Sequence, residues 1–315
     1  MILSSRYVLE NIIGSGAMGV VYRATDQSLG RTVAIKTIRE EILESGRARE
    51  TYRARFHREA EIFGSLSHPN IVILYDVGET REGLPFLVME YVNGSSLANL
   101  RSFWPSLDES MWILAQLANA IDYAHGREVI HRDIKRSNIL LAEGLEVKIV
   151  DFGVAKLLGS EFTRSQTRFG TPGYMAPEQV LGRNVTGSAD IFALGVVAFE
   201  LLSKQTPFPG DSVDTVLHKL VHEDPIFPEG LERRGLSGEK WKMIFGRALA
   251  KDPERRQKTA SELVSSLVEL FPGGWLGNLL PEEIRELRTA REEVRERVDS
   301  FTIPPPTADP SAPHG

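Results

Sequence analysis

The chain contains no cysteine. Disulfides, thiolate metal sites and cysteine nucleophiles are thereby excluded, and the absence is compatible with a reducing compartment. Long apolar runs are missing too. The longest, IFALGVVAFELL from Ile191 to Leu202, falls well short of the ~20 residues a membrane helix needs, and it reads as a buried helix. The start, MILSSRYVLE, lacks a basic region followed by an apolar stretch. There is no excess of positive charge: the formal net charge is -6, so nothing global points to nucleic acid or a membrane surface as partner. The expectation is a cytoplasmic protein with no nucleic-acid partner and no membrane span in this chain, in which any phosphate site is local.

What is present is ordinary globular material. A hydrophobic content of 42% and a charged content of 25% over 315 residues suffice for two lobes around a large core. Near the start, Ile12 to Tyr22 reads IIGSGAMGVVY, with Gly14, Gly16 and Gly19 spaced G-x-G-x-x-G. Two unrelated phosphate-binding devices share that spacing: a dinucleotide-binding turn and a glycine-rich hairpin folded over a nucleotide triphosphate. The first needs a helix directly after its third glycine. Here Val20, Val21 and Tyr22 are strand formers, and Val20, Tyr22 and Ala24 alternate as on a sheet face, so the glycines join two strands.

The flanking segments YVLENII, VVYRAT and TVAIKTI read as strands, followed by a charged helix over residues 51–65 and two more strands in IVILYDVGE and LPFLVMEYV. Arg47, Arg49, Arg53, Arg55 and Arg58 are interleaved with Glu50 and Glu59, the pattern of a solvated helix face rather than a nucleic-acid patch. After Asn93-Gly94 the character becomes helical. Leu114, Leu117, Ala118 and Ile121 form an apolar stripe, and further helices are expected at SADIFALGVVAFELLS, DSVDTVLHKLVHE, EKWKMIFGRALA and TASELVSSLVELF. His218 and His222 lie four apart on one of them, but without a third ligand an exposed face outweighs a zinc site.

A lone G-x-G-x-x-G is a weak signal. Five further pieces follow it in order: VAIK ending at Lys36, HREAE with Glu59, HRDIKRSNIL, DFG at Asp151 to Gly153, and APE at Ala176 to Glu178. This set resembles the eukaryotic-type (Hanks-type) protein serine/threonine kinase family over about Tyr7 to Phe271. The stretches GSGAMGVVYRATD and RFHREAEIFGSLSHPNIVILYD are most similar to its bacterial members. The resemblance implies an α+β, bilobal protein kinase fold, with a small antiparallel-sheet N-lobe carrying one main helix and a larger, mainly helical C-lobe. The N-lobe would run to about residue 92 and the kinase domain to 271. A helical extension over 272–302 and a Pro-rich, disordered tail over 303–315 would follow. For the extension, docking on its own lobe and pairing with a second copy as a homodimer both stay open, with too few heptads to favour a coiled coil.

By the same resemblance, the activity is transfer of the γ-phosphate of ATP, with Mg2+, to Ser/Thr hydroxyls of protein substrates. Lys36 would contact the α- and β-phosphates, held by an ion pair with Glu59, for which Glu61 is the rival. Asp133 matches the catalytic aspartate, Lys135 the lysine that steadies the γ-phosphate, and Thr171 a hydroxyl bridging the two. Asn138 and Asp151 match the metal ligands, a choice that suits the hard oxygen ligands magnesium prefers. The glycine flap would comprise Ile13, Gly14, Ser15, Gly16, Ala17, Met18 and Gly19. The nucleotide base would lie between Val20 and Ala34 above and Leu140 below, with Val21 nearby, Met89 behind, and hinge backbone from Glu90 through Tyr91 to Val92 supplying hydrogen bonds.

Arg132 would pair with a phosphorylated residue of the loop after DFG, where Thr163, Ser165 and Thr167 are available, so activation by autophosphorylation is expected. Asp190 resembles the aspartate that braces the catalytic loop, and Glu178 should pair with Arg256, with Arg255 competing. Two departures from the family pattern stand out: Arg136 where proline is usual, and Phe192 where Trp or Tyr is common. Two other functions compete with an active kinase. A scaffold that binds nucleotide without transfer is disfavoured by the intact reacting groups, and a dinucleotide oxidoreductase by the strand after Gly19.

Overall fold

A computed structural model describes residues 2–3, 6–16, 19–38, 47–99, 104–152 and 172–271. Its N-terminal lobe is built on a six-stranded antiparallel sheet. The strands are β1 (Ile2–Leu3), β2 (Tyr7–Ser15), β3 (Gly19–Asp26), β4 (Arg31–Ile38), β5 (Leu74–Glu79) and β6 (Pro85–Glu90), in the order β1-β2-β3-β4-β6-β5. Between β4 and β5 the chain forms helix α1 (Arg47–Gly64).

Side-chain alternation gives this sheet two buried faces. Val33, Ile35, Phe86 and Val88 join Tyr7, Leu9 and Ala24 in a cluster on one face. Ala34, Ile38, Leu87 and Met89 join Phe56, Ala60 and Phe63 of α1 on the other. The register sets Ala34 opposite Met89 and Lys36 opposite Leu87, which lays these side chains along the face turned toward α1 and the second lobe.

Past Glu90 the chain forms a three-stranded sheet, with strands β7 (Gly94–Ser96), β8 (Ile139–Ala142) and β9 (Val147–Ile149) in that order. Helix α2 (Leu107–His125) lies between β7 and β8 and is started by a capping box. The Ser106 hydroxyl accepts from the Glu109 amide at 3.2 Å, and the Glu109 carboxylate accepts from the Ser106 amide at 2.7 Å. Then follow α3 (Pro177–Val180), α4 (Ser188–Ser203), α5 (Val213–His222), α6 (Gly238–Ala248) and α7 (Ala260–Leu267). Helix α4 is buried along almost its whole length, as its apolar run predicts, and packs against α2, α6 and α7.

The two-lobed α+β architecture and each of the long helices are where the periodicities place them. The small sheet is not foreseen, because three- and four-residue strands carry no readable period. Among the described residues, no helix is long and apolar enough to cross a membrane. The helical extension and Pro-rich tail expected beyond 271 lie outside the described residues.

Candidate active site

A cavity of about 910 Å³ separates the two sheets. Its roof is Ile13, Gly14, Ser15, Gly16 and Gly19 with Val21, Ala34 and Lys36; its back is Met89 to Val92; its floor includes Leu140, Asn138, Asp133, Lys135 and Asp151. Val72, Ser95, Ser96, Asn99 and Val150 also line it. Sequence reading missed these five, although Val150 directly precedes the DFG stretch.

One expected roof residue is on the wrong side. In β3 the alternation that sends Val21 into the cavity sends Val20 to the face of Tyr22 and Ala24, so Val21 is the wall that Val20 was expected to provide. Glu90 lines the cavity as expected; its amide donates to the Ile73 carbonyl at 2.9 Å, which removes that donor from the hinge edge, and its carboxylate pairs with Lys148 at 2.7 Å.

The glycines are not equivalent. A Cβ on Gly16 would meet open space, whereas one on Gly19 would lie 1.8 Å from the Thr37 carbonyl oxygen in the neighbouring strand. Gly19→Ala is expected to lose about 1–3 kcal/mol of stability through overpacking, and Gly16→Ala within about 0.5 kcal/mol. Thermal unfolding of the two variants checks this, and equal midpoints would contradict it.

Lys36 is buried in β4, and its Nζ lies 2.7 Å from Asp151 Oδ1. The expected ion pair with Glu59 is therefore replaced by one with Asp151. Glu59 and Phe63 lie four apart on α1 and so share a face. That face meets Phe152, on which Phe63 stacks, and there Glu59 lines a second, smaller cavity with Ile130 and Arg132. Glu61, the rival, is exposed. Burial raises the Asp151 carboxyl's proton affinity, but the charge and hydrogen bond of Lys36, helped by His131 and Lys135, hold it below the usual carboxylate range.

Below, Asp133 Oδ2 accepts from Lys135 Nζ at 2.8 Å and from Asn138 Nδ2 at 2.9 Å. The Asn138 amide donates as well to the Asp133 carbonyl at 2.9 Å, leaving its Oδ1 as the remaining acceptor. The loop carrying these groups is strained at Arg132, with φ of 68°, the left-handed region that non-glycine residues rarely adopt, and Asp151 after β9 shares that conformation with φ of 66°.

Buried bonds hold that strain. Asp190, in the first turn of α4, accepts from the His131 and Arg132 amides at 2.8 Å each and lies 2.8 Å from His125 Nε2. His131 accepts from the Asp133 amide at Nδ1 and faces the Val150 carbonyl with Nε2, which assigns the Nε2–H tautomer and ties the loop to the strand before Asp151. The Gln179 side chain donates to the Arg132 carbonyl at 2.8 Å. Glu178 binds Arg256, the expected partner, through two bonds of 2.7 and 2.8 Å.

Ala17, Met18, Thr171, Thr163, Ser165 and Thr167 lie outside the described residues. Among the described residues, no cluster of three or more His, Asp or Glu side chains forms a metal site, the His218–His222 pair included. The donors that fit a divalent ion are the anionic Asp151 and the Asn138 amide oxygen, two hard oxygens on the floor of the cavity.

The protein kinase domain family matches residues 7–270. Serine/threonine-protein kinase PknB of Mycobacterium leprae is 37% identical over 279 residues, and that of Mycobacterium tuberculosis 38% over 280; each alignment covers 86% of this chain and 44% of the relative. The kinase of the same name from Mycolicibacterium smegmatis is 37% identical over 280 residues, with the same coverage. The chain thus spans less than half the length of the curated relatives it matches.

Proposed function

Because the chain belongs to the protein kinase family, we propose that it is a protein serine/threonine kinase, transferring the γ-phosphate of ATP to Ser and Thr hydroxyls of protein substrates with Mg2+ as the divalent ion. The observation that carries this reading is the convergence in one cavity of two charged knots, Lys36–Asp151 and Asp133–Lys135–Asn138, beneath the glycine hairpin.

Phosphoryl transfer asks the protein mainly for positioning and charge neutralisation. Asp133 receives the substrate hydroxyl, aims its oxygen at the γ-phosphorus and takes its proton as the new O–P bond forms and the bond to the β-phosphate bridge breaks. Lys135 neutralises the transferring group, and Lys36 holds the α- and β-phosphates. The apolar slot of Val21, Ala34 and Leu140 takes the base. Asp151 and Asn138 would hold the metal, which supplies charge neutralisation across the phosphates.

The test is transfer of radiolabel from ATP to a generic protein, read by phosphoamino-acid analysis. Label on Ser or Thr, lost on chelation and restored by Mg2+, is expected; label on Tyr alone, or none, would refute the reading. We also infer activation by phosphorylation of Thr163, Ser165 or Thr167, recruiting Arg132, whose Nε is buried without a hydrogen-bond partner among the described residues. Mass mapping of the same labelled enzyme should find phosphate on that loop.

A further inference from the structure

Beside the reacting groups the fold gathers four side chains that the transfer does not use: Trp104, Arg136, Tyr174 and Glu200. Arg136 follows Lys135 directly and takes the place where proline is usual. Its guanidinium lies 4.4 Å over the Trp104 ring, and its Nη2 donates to the Leu97 carbonyl at 2.7 Å. Its Nη1 lies 4.0 Å from Glu200 Oε2, the oxygen that accepts from the Tyr174 hydroxyl at 2.6 Å. Arg136 and Glu200 keep 14% and 13% of their side chains exposed. Tyr174 lines the main cavity together with Asp133, Lys135 and Ser137, so the pair sits just behind the wall where the acceptor residue's neighbours must lie.

The carboxylates that line the cavity among the described residues each face a lysine: Glu90 faces Lys148, Asp133 faces Lys135 and Asp151 faces Lys36. Glu200 would be the natural anchor for a basic substrate side chain, because a half-buried carboxylate gains most from a nearby cation. Here a resident guanidinium has taken that place. A second cation would meet Arg136 at a few ångströms in a partly buried setting, where repulsion is poorly screened. The Arg136 Nε, buried without a hydrogen-bond partner among the described residues, leaves the corner short of negative charge rather than positive.

We propose that Arg136 is a specificity-determining residue, whose guanidinium stands in for a basic substrate side chain against Glu200. Peptides with Lys or Arg beside the acceptor hydroxyl are rejected, and neutral or acidic neighbours are accepted. This rests on the kinase reading above and adds the substrate class.

The test uses the whole chain and a peptide series with one Ser acceptor, each neighbouring position carrying Lys, Ala or Glu in turn, read as kcat/KM. Wild type should use Lys peptides at least ~10-fold less well than Ala peptides at one or more positions. Arg136→Ala should abolish or invert that ratio, Arg136→Lys should keep it, and Arg136→Ala combined with Glu200→Gln should show no inversion. Glu200→Gln alone retains Arg136 intact and should sharpen the rejection of Lys. If Arg136 only braces the loop, every peptide falls by one common factor with the ratios unchanged, and the proposal is overturned while transfer itself stands. Wild type that labels no peptide at all overturns both readings.

Discussion

Asp133→Asn lowers phosphoryl transfer by about 100- to 10,000-fold, the usual cost of losing a general base, and leaves nucleotide affinity nearly unchanged. The variant keeps the size of the side chain but not its acceptor capacity. Oδ2 of Asp133 receives both the Lys135 ammonium and the Asn138 amide. An asparagine that keeps its oxygen toward these two donors turns its NH2 toward the acceptor hydroxyl. It can then no longer take the proton. The apolar slot of Val21, Ala34 and Leu140, proposed above to take the base, is untouched. Steady-state kinetics with calorimetric titration of nucleotide separates the two effects. A variant retaining more than a tenth of wild-type kcat would remove Asp133 from the role of base.

Glu178→Ala is expected to destabilise the second lobe by about 3–5 kcal/mol, the range for breaking a buried ion pair from one side. At roughly 2–4 °C per kcal/mol for a domain of this size, the unfolding midpoint falls on the order of 10 °C. The reason is Arg256, which is wholly buried. Its guanidinium gives both terminal nitrogens to the Glu178 carboxylate, its Nε to the Ala250 carbonyl at 2.9 Å, and a further bond to the Ser188 carbonyl at 2.9 Å. Removing the carboxylate strands a positive charge in the interior, where water cannot replace the lost partner. Arg255, one residue away, is exposed, so the same change at its position should shift the midpoint far less. Recovery of most of the loss in a Glu178→Leu, Arg256→Met double variant would confirm that the penalty comes from an unpaired charge. Calorimetry on the single and double variants provides the comparison, and a Glu178→Ala midpoint within 2 °C of wild type would contradict it.

The legibility of this chain follows the range of the physical signal. Val33, Ala34, Ile35 and Lys36 alternate between the two faces of β4, and the apolar run of α4 marks a helix buried on all sides; both are local patterns and both read directly. The choice between Glu59 and Glu61 was also legible as to orientation, since residues two apart cannot share a helix face. For Val20 and Val21 the parity is in the sequence, but which face of β3 looks onto the cavity is not, and the structure turns Val21 that way. The strands β7, β8 and β9 are too short to show a period, and pairing alone defines them.

By itself, then, the sequence determined the chemistry available: an acceptor at Asp133, cations at Lys36 and Lys135, two hard oxygens at Asn138 and Asp151, and a hairpin with a glycine at position 19. It also determined the elements that carry them. Only the tertiary structure decided who meets whom at and beside the reacting centre: Lys36 with Asp151 rather than Glu59, and Arg136 with Glu200. Periodicity records how a residue sits on its own helix or strand, whereas an ion pair across 115 positions depends on how two elements are placed relative to one another. That placement is set by the packing of the whole core, to which no single stretch of sequence holds the key.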